Sequence, residues 1–364
     1  MSQTKRVPKS RPATGKLLAT AATAAAKPPN QMKEKYLQHS LRHATPADLP
    51  SLAELLTHVF THDQIPIVQT AKELDEEFSG DSCRLNHDVM VVEVSSKIVG
   101  LAYTIFLPSE TKEERCYIFG GVLPEFRRSG VGTALMSWAV KHGEQLLQST
   151  DRTIPKFLRT HVSRLNDSAA KLFAQFDLHP VRFEEDLIID LASVPAAQPT
   201  ANYSITPWSA SRNAEAHAVK DLAFRDHWGS TPTSDENWET LVTGSTARPE
   251  HSFFAVAPAT SKTPASPAEN KIVGLLLTHR YESDDELLGK KIGWIDKLCT
   301  LSEFRNQAVA KNLIAHALAK YKALGLTHAA LSVDTQNPTG AHGLYSKLGF
   351  KFFRGTTTFE RQSP

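Results

Sequence analysis

The chain has 364 residues, 41% of them hydrophobic, and 41 basic against 39 acidic side chains give a formal charge of +2. That length fills more than one core, so roughly two domains are expected, and the near-neutral charge gives no global case for nucleic acid and leaves a small ligand as the default. Cys83, Cys116 and Cys299 stand far apart without metal-type spacing, which suits reduced cytosolic thiols rather than disulfides, and the longest weakly polar run, "LLATAATAAA", is about half of the roughly 20 residues that cross a bilayer.

The expectation is therefore a soluble, cytoplasmic protein, monomer or homodimer, with no metal, membrane or nucleic-acid partner. Residues 1–38 differ from the rest. Lys5, Arg6, Lys9, Arg11 and Lys16 precede an Ala/Thr tract, with no acid before Glu34. Such a segment buries too little to order itself and reads as a disordered tail, with a targeting peptide as the alternative.

From Asp88 to Phe106, "DVMVVEVSSKIVGLAYTIF" has two β-rich runs joined by a polar turn, a hairpin pattern. It returns as "HSFFAVA" and "KIVGLLLTHRY", separated by a Pro/Ser/Thr loop that reads as an insertion. In each copy a strand, a Phe-Arg turn and an amphipathic helix follow, with Phe126 matching Phe304 and Arg127 matching Arg305. A further strand ("KFLRTHVS", "HAALSVD"), an Asn and a short helix complete each copy. Between them "LASVPAAQPTANYS" has linker composition. Boundaries are expected at 39–192 for the first domain, 193–202 for the linker and 203–364 for the second. Each is a mixed α/β sheet flanked by helices.

In "FRRSGVGTAL" the strand ending at Val122 passes through Arg127, Arg128, Ser129, Gly130, Val131 and Gly132 into a helix whose first N–H groups lack intrahelical partners. Glycines let a phosphate approach the backbone, and the helix dipole and the arginines favour negative charge. Leu135 stands where a dinucleotide fingerprint needs its third Gly, and no P-loop Lys-Ser/Thr follows. An ordinary glycine turn before a surface helix is the plain alternative.

The turn "RRSGVG", taken with "NPTGAHGLYSKLGF" (Asn337 to Phe350), resembles the GCN5-related N-acetyltransferase (GNAT) superfamily. The resemblance covers both halves, so the chain looks like a tandem GNAT. "AFRDHWGS" and "SVDTQNPTGAHGLYSKLGF" make the second half similar to bacterial mycothiol-synthase-like acetyltransferases. This implies acetyl-coenzyme A as co-substrate, its pantetheine on a strand edge (Leu298, Cys299 and Thr300 in the second half) and its pyrophosphate on the turn. There the matching residues are Arg305, Asn306, Gln307, Ala308, Val309 and Ala310, with Asn337 nearby. The implied activity is N-acetylation of a small-molecule amine. A mycothiol-synthase-like cysteinyl amino sugar is one acceptor, and a non-catalytic acyl-CoA-binding regulatory protein is the rival reading.

Acyl transfer from a thioester needs a neutral amine and a donor for the departing thiolate. The resemblance gives the donor's role to Tyr345, where the first half has Phe173; core packing beside Leu344 and Phe350 is the alternative. Asp296 aligns with Ile118 and is an expected base, directly or through water, unless it only pairs with Lys297 or Lys291. His227, in the early helical region expected to wall the acceptor pocket, can recognise or deprotonate substrate, or simply pack with Trp228. Glu282 reads as part of a solvated turn and Cys299 as a buried thiol. Ala308, standing where the first half has Gly130, is expected to require a negative φ. The C-terminal half is thus expected to catalyse and the N-terminal half to be structural.

Overall fold

The computed structural model describes residues 40–363, apart from 193, 195–196, 198–199, 201, 259–269 and 338–339. The basic tail, the hairpin insertion and much of the linker lie outside the described residues.

Ser40–His43 is β1, followed by helices α1 (Leu49–His62), α2 (Ala71–Glu77) and α3 (Leu85–Asp88). The strands β2 (Val89–Val94), β3 (Lys97–Leu107) and β4 (Glu114–Val122) form an antiparallel meander. Helix α4 (Val131–Gln148), strand β5 (Lys156–Ser163), helix α5 (Asp167–Ala174) and strand β6 (His179–Asp190) end the first half. The second half repeats the order with β7 (Ser204–Pro207), α6 (Asn213–Phe224), α7 (Asp235–Thr243), β8 (Phe253–Ala257), β9 (Lys271–His279) and α8 (Asp285–Leu288). It closes with β10 (Ile292–Thr300), α9 (Val309–Ala323), β11 (His328–Asp334), α10 (Ala341–Leu348) and β12 (Lys351–Gln362).

All twelve strands join one sheet, in the order β1-β2-β3-β4-β5-β12-β6-β11-β10-β9-β8-β7. The halves exchange their last strands. β12 lies between β5 and β6, pairing antiparallel with both, and β6 pairs with β11 from Asp190↔His328 to Glu184↔Asp334. The two halves consequently pack as a single unit.

Helices cover both faces because the strands alternate apolar side chains to each. In the second half Ile295, Leu331 and Val333 meet Leu313, Ala317 and Tyr321 of α9, while Leu275, Leu277 and Cys299 meet Ala216, Val219, Trp238 and Val242 of α6 and α7. Burying each large aliphatic side chain contributes about 1.5–3 kcal/mol. Direct bonds also link the halves beyond the sheet: Glu76 Oε2 accepts the Ser245 N–H at 2.9 Å, and Asp284 Oδ1 accepts the Val68 N–H at 2.7 Å. Among the described residues no helix is long and apolar enough to cross a membrane.

Candidate active site

Parallel strands that stop pairing partway leave a notch, and each half has one. β4 and β5 stay in register from Glu114↔Lys156 to Tyr117↔Arg159 and then separate; β10 and β11 do so from Ile292↔His328 to Ile295↔Leu331. Beyond each notch a helix begins with a left-handed residue and no side-chain cap, Gly130 (φ 92°) before α4 and Ala308 (φ 60°) before α9. The first amides of each helix are thus left to an anion or water.

Ala308 corrects the expectation of a negative φ. The left-handed conformation costs an L-residue about 1–2 kcal/mol. The turn imposes it in both halves, since Arg128 (φ 61°) and Asn306 (φ 62°) match one another as well. Tyr203, just after the linker, braces the second turn: its hydroxyl donates to the Gln307 carbonyl at 3.1 Å and accepts from Asn312 Nδ2 at 2.9 Å.

The two turns differ in charge. In the first half Asp63, immediately after α1, takes both guanidinium nitrogens of Arg127 at 2.7 and 3.0 Å, and Asn166 Nδ2 donates to the same carboxylate at 3.0 Å. Burial raises the Asp63 carboxyl, but Arg127 and His62 outweigh it and hold it below the ordinary carboxylate value. An internal carboxylate therefore already occupies the turn's arginine. Alongside, Tyr117 and Phe119 of β4 stack on His161 of β5, with centroids 5.2 and 5.9 Å away, bridging the strands where they part.

The residue immediately after α6, in the place of Asp63, is Arg225, which is exposed. Arg305 is exposed, and among the described residues its side chain bonds only to carbonyl oxygens, Thr300 O at 3.4 Å and Ala223 O at 3.2 Å. Arg127 is thus neutralised by Asp63, leaving Arg128 as the exposed cation of the first turn, whereas Arg305 of the second turn has no carboxylate partner among the described residues. Asn337 lies in the turn after β11, its N–H donating to the Asp334 carbonyl at 3.1 Å.

Tyr345, on α10, belongs to the second half's core, edge-on to Phe350 at 6.0 Å, and burial pushes its phenol up to about 12. Among the described residues its hydroxyl has no hydrogen-bond partner, which leaves that O–H available to a ligand. The matching Phe173 packs edge-on against Phe359 of β12 at 5.3 Å.

Asp296 is the extra residue of a β-bulge, between Ile295↔Thr278 and Lys297↔Leu277. Bulges redirect side chains, and β4 shows none at the matching Ile118, which pairs directly with Thr104. Asp296 Oδ2 lies 2.8 Å from Lys297 Nζ. Burial raises its carboxyl, yet Lys297 and His279 together hold it below the ordinary value, so it is ionised near neutrality.

His227 follows α6, its Nδ1 3.0 Å from the Trp228 carbonyl and its ring edge-on to Phe224. When Nδ1 donates there, Nε2 carries the lone pair. Glu282 pairs with Arg248 at 3.2 Å. Cys299 is buried, and burial pushes its thiol up to about 12, which leaves no thiolate at neutral pH.

Sequence reasoning missed Arg159, Arg182, Glu184 and Asp334. Trp228 is sandwiched by the guanidiniums of Arg159 and Arg182 from the first half, 4.2 and 4.7 Å from its ring centroid, so the segment carrying His227 is held by β5 and β6. Glu184 of β6 faces Asp334 of β11 across the strand pair, and burial with Asp334 and Asp186 nearby raises its carboxyl. Only the sheet order brings these together, and nothing local in the sequence signals it.

The acetyltransferase (GNAT) family model matches twice, over residues 50–177 and 219–350. No curated protein matches. Among solved structures, a GCN5-related N-acetyltransferase from Sphaerobacter thermophilus is similar at 21% identity and a TM-score of 0.68, covering 90% of this chain and 96% of its own. A tandem GNAT protein from the clavulanic acid biosynthesis pathway shares 16% identity at 0.63, covering 90% and 99%. A GCN5-related glucosamine N-acetyltransferase region of a fungal multi-domain β-N-acetylglucosaminidase shares 17% at 0.66, covering 89% of this chain and 38% of that one.

Proposed function

The chain belongs to the acetyltransferase (GNAT) family, and on that premise we propose that it transfers an acetyl group from acetyl-coenzyme A to the primary amine of a small molecule, with the chemistry in its C-terminal half. The unequal turns carry this reading. Asp63 neutralises Arg127, whereas Arg305, four residues before the uncapped start of α9, meets only carbonyl oxygens among the described residues. A diphosphate would sit against the amides of Val309 and Ala310, and the pantetheine along Leu298 to Thr300 where β10 has left β11.

The amine loses a proton to Asp296 through water, or to His227 Nε2, and its nitrogen attacks the thioester carbon. As the new C–N bond forms and the C–S bond breaks, the leaving sulfur gathers negative charge. The Tyr345 hydroxyl donates to it; with burial holding this phenol at about 12, it is a weaker acid than a thiol near 8.5, so the contribution is a hydrogen bond or proton supplied in the transition state. Glu184 and Asp334 beside the notch suit a cationic acceptor, an amino sugar among the candidates.

The test is thiol release from acetyl-coenzyme A with a panel of amines. Turnover is expected, falling on the order of a hundredfold in Tyr345→Phe and weakened through coenzyme binding in Arg305→Ala. Coenzyme binding without turnover on any amine would replace this reading with a regulatory acyl-CoA-binding protein.

A further inference from the structure

Away from both turns, three side chains that acyl transfer does not use converge between α3 and α4. Asp88 is 2% exposed. Its Oδ1 lies 2.7 Å from Nδ1 of His87 and 2.8 Å from Nε2 of His142, and its Oδ2 accepts the Arg84 N–H at 2.7 Å. The two ring nitrogens and the carboxylate oxygen all fall within 4.8 Å of one another. We propose that His87, Asp88 and His142 form a binding site for one divalent transition-metal ion of the zinc class.

The donor set is two imidazoles and a carboxylate, which suits zinc, cobalt or nickel rather than calcium or magnesium. The ligands are also held in place by their surroundings. The Arg84 amide fixes the far oxygen of Asp88, and Trp138, on α4 with His142, lies parallel to the His142 ring at 5.0 Å and 13°. Such outer contacts orient ligands for a metal. His87 keeps the site open, its side chain 51% exposed, so an ion can enter and water can complete its coordination. His43 stacks on the outer side of His87 at 6.5 Å.

Tetrahedral bonds of about 2.0–2.2 Å set neighbouring donors about 3.4 Å apart, so each ring nitrogen must draw back from Asp88 Oδ1 by roughly 0.6 Å, present its lone pair to the ion and release any proton it holds. The Arg84 guanidinium competes for the same place, 3.4 Å from Asp88 Oδ2 and 3.2 Å from His87 Nδ1. Its side chain is 54% exposed, and among the described residues it bonds only to this cluster, so it can swing into solvent. The bound ion would clamp the start of β2 to α4.

Untagged full-length protein, stripped with a chelator, is titrated with cobalt(II) chloride while visible absorption and tryptophan fluorescence are followed, and with zinc chloride in a thermal melt. One equivalent of cobalt should give a ligand-field band and quench Trp138, and zinc should raise Tm. His142→Gln and His87→Gln should weaken cobalt binding at least tenfold while circular dichroism stays unchanged. His87 is exposed, so its variant guards against a mere folding defect. No band in the wild type, or an equal band in both variants, overturns the proposal. Thiol-release activity reports separately on the acyl-transfer reading.

Discussion

Asp63 and Arg127 form a two-pronged ion pair whose members are 9% and 25% exposed. Hydrogen bonds to charged groups contribute about 1.5–3 kcal/mol each, so Asp63→Ala should lower stability by an amount of that order. It should also free Arg127 and Asn166. Calorimetric titration with coenzyme A is expected to give one site per wild-type chain and two in the variant. A stoichiometry that stays at one would remove Asp63 as the reason the first turn is silent. Because this carboxyl is held low in the folded state, its contribution is present above the ordinary carboxylate range and is lost as pH falls.

Glu77 titrates in the opposite sense. Burial pushes its carboxyl up to about 7, with Glu73 adding to the rise and Tyr103 opposing it. Between the ordinary value of 4.5 and about 7 the folded chain holds a proton that the unfolded chain has released, so stability falls as pH rises through this window. Glu77→Gln should flatten the dependence of Tm on pH there and be the more stable protein at pH 8. A variant whose profile parallels the wild type would show that Glu77 is not the titrating group.

At the scale of elements, β12 is the piece on which the first half depends most. It fills the space between β5 and β6, brings Phe359 to Phe173, and supplies Glu360 to the buried Arg159 at 2.6 Å. Ending the chain at Phe350 leaves every residue of β1 to β6 in place, yet unpairs one edge of β5 and one of β6 and leaves Arg159 short of a carboxylate. Hydrogen exchange of the β5 amides should then approach that of an open strand. If β5 stays protected, the halves do not need the exchange.

The same pairing explains what the sequence could and could not reveal. The repeat, the turns at Arg127 and Arg305, and the helices after them are local patterns, readable from spacing alone. The partner of a strand is not a local property: "FERQ" near the end of β12 says strand, but not that Phe359 lies opposite Thr160. Likewise Asp63 and Arg127 are 64 positions apart, so the neutralisation of Arg127 could be seen only after folding, as could the Arg159–Trp228–Arg182 contacts. The Asp296 bulge inserts one residue into an otherwise regular strand, and alternation alone does not announce it.

For the whole molecule, a continuous sheet with crossed strands predicts one cooperative unfolding event. Differential scanning calorimetry should give a single transition whose calorimetric and van't Hoff enthalpies agree. Residues 40–202 made alone should be unfolded or self-associated, because β5 and β6 would each expose an unpaired edge. Two separate transitions in the full chain would mean that each half holds its own structure.

The crossing also imposes a schedule on synthesis. As the polypeptide emerges from the ribosome, the early domain can assemble its meander and helices, but the slot between β5 and β6 stays vacant until residues 351–362 have been made. Nascent molecules must therefore carry two raw sheet margins while the second half is being made, and a pause before β12 emerges would prolong their exposure to aggregation or to chaperone capture.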